Sequence, residues 1–514
     1  MMLRRTSLFL CLIVVFVAGV LPLFIMLWQS LFFQDHPSLF YYYQVFASHR
    51  TWLLLFNSLE LALWTTLFSL LLGTPFGVLL GRTDLFFARF FLVLFAVPLA
   101  LPPFVLSLGW FYAFTALLGG VPGWFSGLSG SVFVMVQAMM PVVVILTATY
   151  TRTIDPRLED AARLRAGWFR VIARITLVLA SPGIAFAGLL VFLMSFAELG
   201  VPLFLRYDVF SVESFSRFSA FYNFKAGTAA CVPVITVVLL ALLVERLFLR
   251  KRTYQMKAAD GLWTRLELGP WRWPLSGLTA LTVFSSVILP LAGLFARTGS
   301  LSVYLAAFNF AGPTVLRSVV FAAIGAFAIT LLGFITGEAV HRNTLRYSMS
   351  LDSLLLFLFA LPGTVIGIGL IATYNHSWLR FIYTTPLVLF LGYIASYAAI
   401  GHRITLSSLA QVSRSFDDAA RVMGVPWFRR VIFVNLPLIK KGLVAGWVVS
   451  YIFLIKDIDI TMLVYPPGYD TLSVRVLTTM ANGAPGLVAA LCLVMVLISL
   501  VPPGLVGLWF WRRA

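Results

Sequence analysis

The sequence predicts an all-α polytopic membrane protein with about twelve transmembrane helices, and two observations support this prediction. The 514 residues are 61% hydrophobic and only 11% charged, and their mean hydropathy is +0.98. A soluble protein of this length needs far more polar side chains to cover its core. Apolar stretches of about 20 residues also recur along the whole chain, and each is long enough to cross a bilayer core of roughly 30 Å.

The predicted spans form two sets of six, separated by a polar linker at residues 250–273. The first apolar stretch is too long for a signal-peptide core, so we expect it to be a retained span. The first set comprises residues 7–30, 52–80, 88–116, 130–150, 183–206 and 226–247. The second set comprises residues 274–297, 312–340, 351–374, 382–401, 442–465 and 486–511. The chain therefore divides into a first half at 1–249, the linker, and a second half at 274–514.

The net charge of +18 follows from 37 Lys and Arg residues against 19 acidic ones. In a soluble protein such a balance suggests nucleic-acid binding. Here, placing both termini in the cytoplasm puts most of the basic residues on the cytoplasmic side, as the positive-inside rule requires. We therefore expect a multi-pass protein in a lipid bilayer, with both termini cytoplasmic and no nucleic-acid partner.

Residues that carry catalysis or bind metals are sparse in this chain. Cys11, Cys231 and Cys492 lie in apolar stretches and offer neither a disulfide framework nor metal-ligand spacing. The chain contains no G-x-x-x-x-G-K-[ST] phosphate loop, so we do not expect it to hydrolyse ATP. The five histidines form no cluster with acids, which disfavours a membrane-embedded enzyme. We assign no catalytic residues and no metal ligands.

The two halves resemble each other in sequence. "ALPPFV" at 100–105 matches "ALPGTV" at 360–365, and "NSLELALW" at 57–64 aligns with "RSVVFAAI" at the same offset of 260 residues. With six spans in each half, both copies run in the same direction, which indicates a parallel repeat around a central pathway. Pro102 and Pro362 remove backbone hydrogen bonds within spans. They are either packing kinks or part of the pathway.

Two polar segments interrupt the apolar pattern, and they share their sequence. We call residues 151–182 the first polar segment and residues 402–441 the second polar segment. "EDAARLRAGWFRVIARITLVLASPG" at 159–183 nearly recurs as "DDAARVMGVPWFRRVIFVNLPLIKKG" at 417–442.

Each polar segment is predicted to contain one short helix. In the first, Asp155 is expected to cap the helix and Gly167 to end it; in the second, Ser415 is expected to cap it and Gly424 to end it. Helices of about two to three turns are marginal by themselves in water, so each needs a surface to dock on. That surface is either anionic lipid or a groove on a cytoplasmic partner. Only the partner explains why D-A-A-R and W-F-R recur at nearly fixed spacing.

The pattern D-A-A-R-x-x-G, followed about ten residues later by V-x-L-P, resembles the EAA loop of permease subunits of binding-protein-dependent ABC importers. The residues of the second copy that the resemblance singles out are Asp417, Asp418, Ala419, Ala420, Arg421, Gly424 and Pro437. Those of the first copy are Glu159, Asp160, Ala161, Ala162, Arg163 and Gly167. The first copy is one residue shorter before W-F, and it has Val178 at the position of Pro437.

The resemblance implies a fold, partners and a location. The fold is that of a type I ABC importer permease, with one leading span and a five-span core in each half. Two copies of a cytoplasmic ABC ATPase are expected to dock, one under each polar segment, and ATP and Mg bind that partner rather than this chain. An extracytoplasmic substrate-binding protein is the other expected partner, and the location is a bacterial inner membrane.

The substrate follows from resemblance more than from chemistry. The length of the fused chain and its ending "YPPGYDTLSVRVLTTMANGAPGLVAAL" at 465–491 are most similar to permeases of the ferric-iron group. Thiamine, polyamines and phosphonates are the alternatives within the same mechanism. A secondary transporter driven by an ion gradient is the alternative outside it, but it requires ionisable residues deep in several spans.

Three acids are candidates for the translocation pathway. Near the outer end of the fifth span of each half, "SFAELGVPLF" (195–204) aligns with "FLIKDIDITML" (453–463), so Glu198 corresponds to Asp457, with Asp459 nearby. Such a pair could offer oxygen ligands or negative potential to a cation. Alternatively, the acids lie at the water interface, where Lys456 neutralises Asp457. Glu60 has no acidic counterpart and is expected to make a local hydrogen bond.

Overall fold

The computed structural model describes residues 2–33, 36–213, 224–249, 266–341, 348–413 and 415–512. Over these residues the chain is almost entirely helical, with a short hairpin of β1 (Phe32–Phe33) and β2 (His36–Pro37). Ten helical segments in the described chain are long and apolar enough to cross a bilayer, and two further pairs of helices are bent by 100°. The predicted all-α membrane fold with about twelve spans is confirmed. Most of the predicted linker, residues 250–265, lies outside the described residues.

The helices described in the first half are α1 (Met2–Val15), α2 (Leu21–Ser30), α3 (Phe40–Ala47), α4 (His49–Arg82), α5 (Ala88–Ala100), α6 (Pro103–Leu118), α7 (Gly127–Arg152), α8 (Pro156–Arg163), α9 (Trp168–Val171), α10 (Leu177–Ala197), α11 (Gly200–Leu205) and α12 (Phe224–Leu249). Those in the second half are α13 (Arg272–Val283), α14 (Leu289–Thr298), α15 (Leu301–His341), α16 (Ser348–Ala360), α17 (Gly363–Tyr374), α18 (Arg380–Tyr383), α19 (Leu387–Ala410), α20 (Ser415–Val422), α21 (Trp427–Arg430), α22 (Leu436–Ile455), α23 (Thr461–Val464), α24 (Leu472–Asn482) and α25 (Pro485–Arg512). Short 3₁₀ turns lie at Gly123–Phe125, Gly269–Trp271 and Ser377–Leu379.

Four of the spans contain a π-helical turn, and the positions of these turns repeat between the halves. The turns join α1 to α2, α9 to α10, α13 to α14 and α21 to α22, at Phe16–Val20, Ile172–Thr176, Phe284–Ile288 and Val431–Asn435. Three of them precede a helix that opens Leu-Pro-Leu. Because proline lacks the N–H that an α-helix needs and clashes with the carbonyl four residues earlier, a widened turn accommodates it. The turn before Val178 forms without proline, so proline favours the turn but is not required for it.

Several predicted span starts are wrong because the helices begin before the apolar stretches, and two predicted ends are wrong because the helices end earlier, at Ala197 and Ile455. The span predicted at 183–206 is the helical segment Trp168–Ala197, that predicted at 442–465 is Trp427–Ile455, and that predicted at 312–340 is Leu301–His341. Hydropathy marks the part of a helix that is embedded in lipid, whereas charged side chains carry the same helix into water. The last part of each polar segment is therefore helical, not loop.

Two predicted spans are broken rather than straight. The breaks fall between α5 and α6, and between α16 and α17, at Pro102 and Pro362. Leu101 is extended (φ −96°, ψ 143°), as expected for a residue before proline. The predicted loss of helical bonding at these prolines is confirmed, and a 100° bend exceeds a packing kink.

The pair α5–α6 runs from the level at which α4 and α7 end to the level at which α7 begins. The ends of α4 and α7 lie together, since Arg152 at the end of α7 donates to the carbonyl of Leu80 near the end of α4 at 3.0 Å. Helix α5 follows the end of α4 and α6 precedes the start of α7. The two bent helices together therefore make one broken span.

The chain forms two compact units that do not follow the sequence halves. Unit A consists of Trp52–Val212 and Thr236–Gly299, and unit B of Met1–Thr51, Glu213–Ile235 and Ser300–Ala514. Unit A therefore contains α13–α14, the leading span of the second half, and unit B contains α1–α2, the leading span of the first. The division at residues 249 and 274 stays a prediction about the sequence repeat.

Glycines bring the leading spans and the core helices into close contact within each unit. In unit A, a Cβ on Gly293 of α14 would lie 2.4 Å from the carbonyl oxygen of Gly109 on α6. In unit B, a Cβ on Gly369 of α17 would lie 3.2 Å from the carbonyl of Pro22 on α2. Small residues allow such backbone approach between membrane helices. Each leading span thus packs on the core of the other half.

Candidate functional site

The short helix of the first polar segment, α8, is capped as predicted. The Asp155 carboxylate accepts the Arg157 backbone N–H at 3.0 Å, and Pro156 occupies the first turn, where a missing N–H costs little. Gly167 does not end this helix, which contradicts the prediction. The helix ends at Arg163, and Gly167 precedes α9 with ordinary extended backbone (φ −68°, ψ 160°).

A buried ion pair fastens α8 to unit A. Glu159 in the first turn of α8 and Arg82 at the end of α4 are each 2% exposed, and Arg82 Nε donates to Glu159 Oε2 at 2.8 Å. The hydroxyl of Thr176, in the π-helical turn before α10, donates to Glu159 Oε1 at 2.6 Å. Glu159 therefore faces the interior of the protein and holds α8, α4 and the start of α10 together.

The short helix of the second polar segment, α20, ends at a glycine as predicted. Gly424 has a left-handed backbone (φ +74°). Its N–H donates to the carbonyl of Arg421 at 3.0 Å, and that of Val425 donates to the carbonyl of Ala420 at 3.1 Å. This is the Schellman arrangement, which requires a residue that tolerates positive φ. Ser415 is not the cap, which contradicts the prediction.

The side chain that accepts the first backbone N–H of α20 belongs to Ser413, two positions earlier. Ser415 is the first helical residue, and its N–H donates to the hydroxyl oxygen of Ser413 at 3.3 Å. Where several serines lie just before or at the start of a helix, each hydroxyl can accept one of the first backbone N–H groups. The stretch Ser413-Arg414-Ser415 therefore contains two candidates that sequence cannot separate.

The second polar segment is fastened to unit B by different side chains. Trp427 Nε1 donates to Glu338 Oε1 at 3.3 Å, and Glu338 is a buried residue near the end of α15. Asp417 in α20 lies 3.8 Å from Arg430 of α21. Trp427 also packs against a hydrophobic cluster in unit B, which is formed by Phe334, Leu409, Val431 and Ile439.

The remaining predicted coupling residues lie on the surface or partly on it. Asp160, Ala161, Arg163, Asp418, Ala419, Arg421, Gly424 and Pro437 are exposed, whereas Ala162 and Ala420 are half-buried. Large apolar side chains beside them are also exposed: Leu164 and Phe169 by 87% and 88%, Val422 and Met423 by 89% and 81%. Polar helices that expose apolar side chains of this size are typical of surfaces that bind another protein.

The predicted pathway acids Glu198 and Asp457 both cap short helices. Glu198 Oε1 accepts the N–H of Gly200 at 3.1 Å, at the start of α11. Asp457 is buried, and its Oδ2 accepts both the N–H and the hydroxyl of Thr461 at 3.0 and 2.7 Å, at the start of α23. Tyr397 donates to its Oδ1 at 2.8 Å. The two aligned acids thus both accept backbone N–H groups at the start of the next helix, Glu198 from two residues before it and Asp457 from four residues before it.

In unit B, the break at Pro362 lies close to Asp459 and the start of α23. A Cβ on Gly363, directly after Pro362, would lie 2.6 Å from the Cβ of Asp459. Asp459 itself is half-buried. The unwound residues after α22 therefore pack on the broken span α16–α17, and discontinuous helices of this kind line binding sites in transporters. Among the described residues, no group of three or more His, Cys, Asp or Glu is arranged to hold a metal ion.

The repeat identified at 57–64 and 317–324 fixes a loop in each unit. The hydroxyl of Ser58 accepts the N–H of Phe210 at 2.8 Å, and that of Ser318 accepts the N–H of Leu472 at 2.7 Å. Beside Ser318, Arg317 and Arg475 both bind Asp470, at 2.7 and 2.6 Å. Glu60 accepts a hydrogen bond from Tyr207 at 3.2 Å, in agreement with its predicted local role.

Sequence reasoning missed three residues of the coupling region: Arg82, Thr176 and Glu338. Glu338 lies within a predicted span, and an acid at such a position indicates a specific partner. Arg82 follows Gly73, Gly77 and Gly81, whose spacing predicts a tightly packed helix end. Thr176 carries no comparable signal.

Comparison with known proteins finds a matching family model and several relatives. Residues 329–509 match the family described as "Binding-protein-dependent transport system inner membrane component". The putative ferric transport system permease protein FbpB 1 of Haemophilus influenzae is 23% identical over 435 residues, which cover 77% of this chain and 67% of that protein. The Fe(3+)-transport system permease protein FbpB 2 of the same organism is 23% identical over 472 residues, which cover 87% and 88%.

A shorter relative matches a smaller part of the chain. The putative 2-aminoethylphosphonate transport system permease protein PhnV of Salmonella typhimurium is 27% identical over 182 residues, covering 34% of this chain and 67% of that protein. The helical membrane fold, the repeated polar segments and these similarities agree with one another. The chain is therefore a multi-pass membrane protein that is similar, over most of its length, to permeases of binding-protein-dependent ABC transport systems.

Proposed function

We propose that this chain carries ferric iron across the inner membrane as the permease of an ATP-driven importer. The observation that supports this most strongly is the pair of polar segments, each with a short helix beside exposed apolar side chains and each bound to the end of the second span of its half, through Glu159 in the first and Trp427 in the second. A surface segment that is bound to a span and exposes apolar side chains is suited to receive force from a docked subunit and pass it to the membrane helices.

In this proposal the partner under each polar segment is one copy of a separate cytoplasmic ABC ATPase. ATP and Mg bind to that subunit, and this chain is non-catalytic. Both termini and both polar segments are cytoplasmic, in agreement with the distribution of Lys and Arg. Closure of the ATPase dimer moves α8 and α20, and the membrane helices then alternate between inward-open and outward-open states.

The proposed substrate rests on the relatives whose names specify ferric transport and whose similarity covers most of this chain. Substrate recognition is assigned to an extracytoplasmic binding protein. Glu198 and Asp457 are engaged as helix caps, so the pathway in this proposal lets the ion pass without a cage of side-chain ligands. Phosphonate and polyamine are the competing substrates, since shorter relatives carry these names.

ATP hydrolysis by the reconstituted complex tests the proposal. The full chain is placed in proteoliposomes with its ATPase, and hydrolysis is measured with binding proteins loaded with ferric ion, a polyamine, a phosphonate or thiamine. We expect stimulation by the ferric-loaded protein alone. Stimulation by another loaded protein would replace the substrate and keep the mechanism, whereas the absence of any bound ATPase would refute the importer assignment.

A further inference from the structure

We infer that Arg82 is the positioning residue through which the first polar segment moves the membrane helices of unit A. The inference rests on the proposed function, because it assumes that an ATPase displaces α8. Arg82 is the last residue of α4, and it makes contacts in two directions. Its side chain binds Glu159 of the first polar segment. Its main-chain carbonyl binds Leu266, in the chain just before the leading span of the second half.

The side-chain contact is buried and charged. Arg82 donates through both Nε and Nη2 to one oxygen of Glu159, whose other oxygen accepts the hydroxyl of Thr176. Thr176 is fully buried, and the two charged residues are almost so. Separating a buried cation from its anion leaves both without water to replace the partner. A displacement of α8 is therefore transmitted to α4 and α10 rather than absorbed by this contact.

The main-chain contact joins α4 to the chain that enters α13. The carbonyl of Arg82 accepts the N–H of Leu266 at 2.9 Å, and the N–H of Asp84 donates to the carbonyl of Leu266 at 3.1 Å. The Asp84 carboxylate accepts the N–H of Leu268 at 3.0 Å and lies 3.5 Å from Arg272 in the first turn of α13. One turn of chain, residues 82–84, thus connects α8 with the leading span packed in unit A.

The second polar segment is connected to its membrane helices by other side chains. Trp427 donates to Glu338 of α15 at 3.3 Å, and Arg403 pairs with Asp352 of α16 at 2.9 Å. Asp417 lies 3.8 Å from Arg430 within the polar segment. The two polar segments therefore use different residues to hold their membrane helices.

The test compares transport with hydrolysis in Glu159→Gln, which keeps the shape of the side chain and removes its charge. The full complex is reconstituted, and ferric ion delivered per ATP hydrolysed is measured with ferric-loaded binding protein and radioactive iron. We expect the ATPase to remain bound and active while iron delivered per ATP falls at least tenfold. The matched control is Glu213→Gln, which breaks an ion pair with Arg50 (3.0 Å) away from both polar segments and is expected to leave the ratio unchanged.

Two outcomes overturn the inference. One is an unchanged ratio in assembled Glu159→Gln; the other is an equal fall in the Glu213→Gln control. If Glu159→Gln does not assemble, Thr176→Val decides, because it removes one hydrogen bond and keeps the ion pair. We expect at least a twofold fall in that variant, and no fall refutes the positioning role. A wild-type complex that ferric-loaded protein does not stimulate refutes the proposed function instead.

Discussion

Substituting Gly424 by alanine tests whether the left-handed end of α20 is part of the surface that receives the ATPase. Gly424 has φ +74°, and no other atom lies within 4 Å of a Cβ built there. The substitution therefore adds backbone strain and no packing clash. Left-handed backbone costs a residue with a Cβ about 1–2 kcal/mol, which corresponds to a factor of about 5 to 30 in an equilibrium constant.

Gly167→Ala is the matched control, because it makes the same substitution in the first polar segment at a glycine that does not end a helix. Its backbone is ordinary (φ −68°), and a Cβ there also meets nothing within 4 Å. The measurement is the dissociation constant of the ATPase from the purified permease. In the free Gly424→Ala permease the end of α20 leaves the left-handed conformation, and binding of the ATPase has to restore it at that cost. We therefore expect Gly424→Ala to weaken binding by about 5- to 30-fold and Gly167→Ala to leave it within twofold. Equal dissociation constants for the two variants would refute the reasoning.

Three further predictions concern packing, the loop contact and the pathway. Gly77→Val places a side chain where a Cβ already lies 2.5 Å from the Cβ of Thr147, so we expect a loss of about 1–3 kcal/mol, measured as a lower Tm of the purified chain. Ser318→Ala leaves the buried N–H of Leu472 without its acceptor, and we expect a loss of about 1–3 kcal/mol together with faster proteolysis near residue 470. Asp457→Asn keeps an oxygen that can cap α23, so we expect iron uptake within twofold of wild type.

Controls separate these effects from general damage. Gly123→Val introduces the same side chain at a position where a Cβ meets nothing within 4 Å, and its Tm is expected to be unchanged. Ser126→Ala removes an exposed hydroxyl and is expected to leave proteolysis unchanged. A tenfold loss of uptake in folded Asp457→Asn would contradict the capping role and favour contact with the cation.

Much of the fold is predictable from this sequence because lipid restricts what a backbone can do. A helix satisfies its own hydrogen bonds, so long apolar stretches specify spans, and prolines at Pro102 and Pro362 specify where a span breaks. Helix ends are less predictable, because hydropathy marks only the part of a helix that is embedded in lipid and not its polar extension into water. This is why the helix that starts at Trp168 was predicted to start at 183.

The exchange of leading spans between units could not be predicted. The stretches around Pro22 and Pro290 are both apolar, and nothing in their composition selects one core over the other. The partner of Glu159 could not be predicted either, since Arg82 lies 77 residues away in sequence and many arginines are candidates. Capping at Asp155 and the glycine end at Gly424 were predictable because both depend on neighbouring residues alone.

Uptake of radioactive iron into proteoliposomes tests the central claim most directly. The vesicles contain the permease and its ATPase with the polar segments facing the lumen, ATP and Mg are enclosed, and ferric-loaded binding protein is added outside. The account predicts accumulation of iron that requires enclosed ATP and the loaded binding protein together. Accumulation without ATP but with an imposed ion gradient would contradict it and would indicate a secondary transporter.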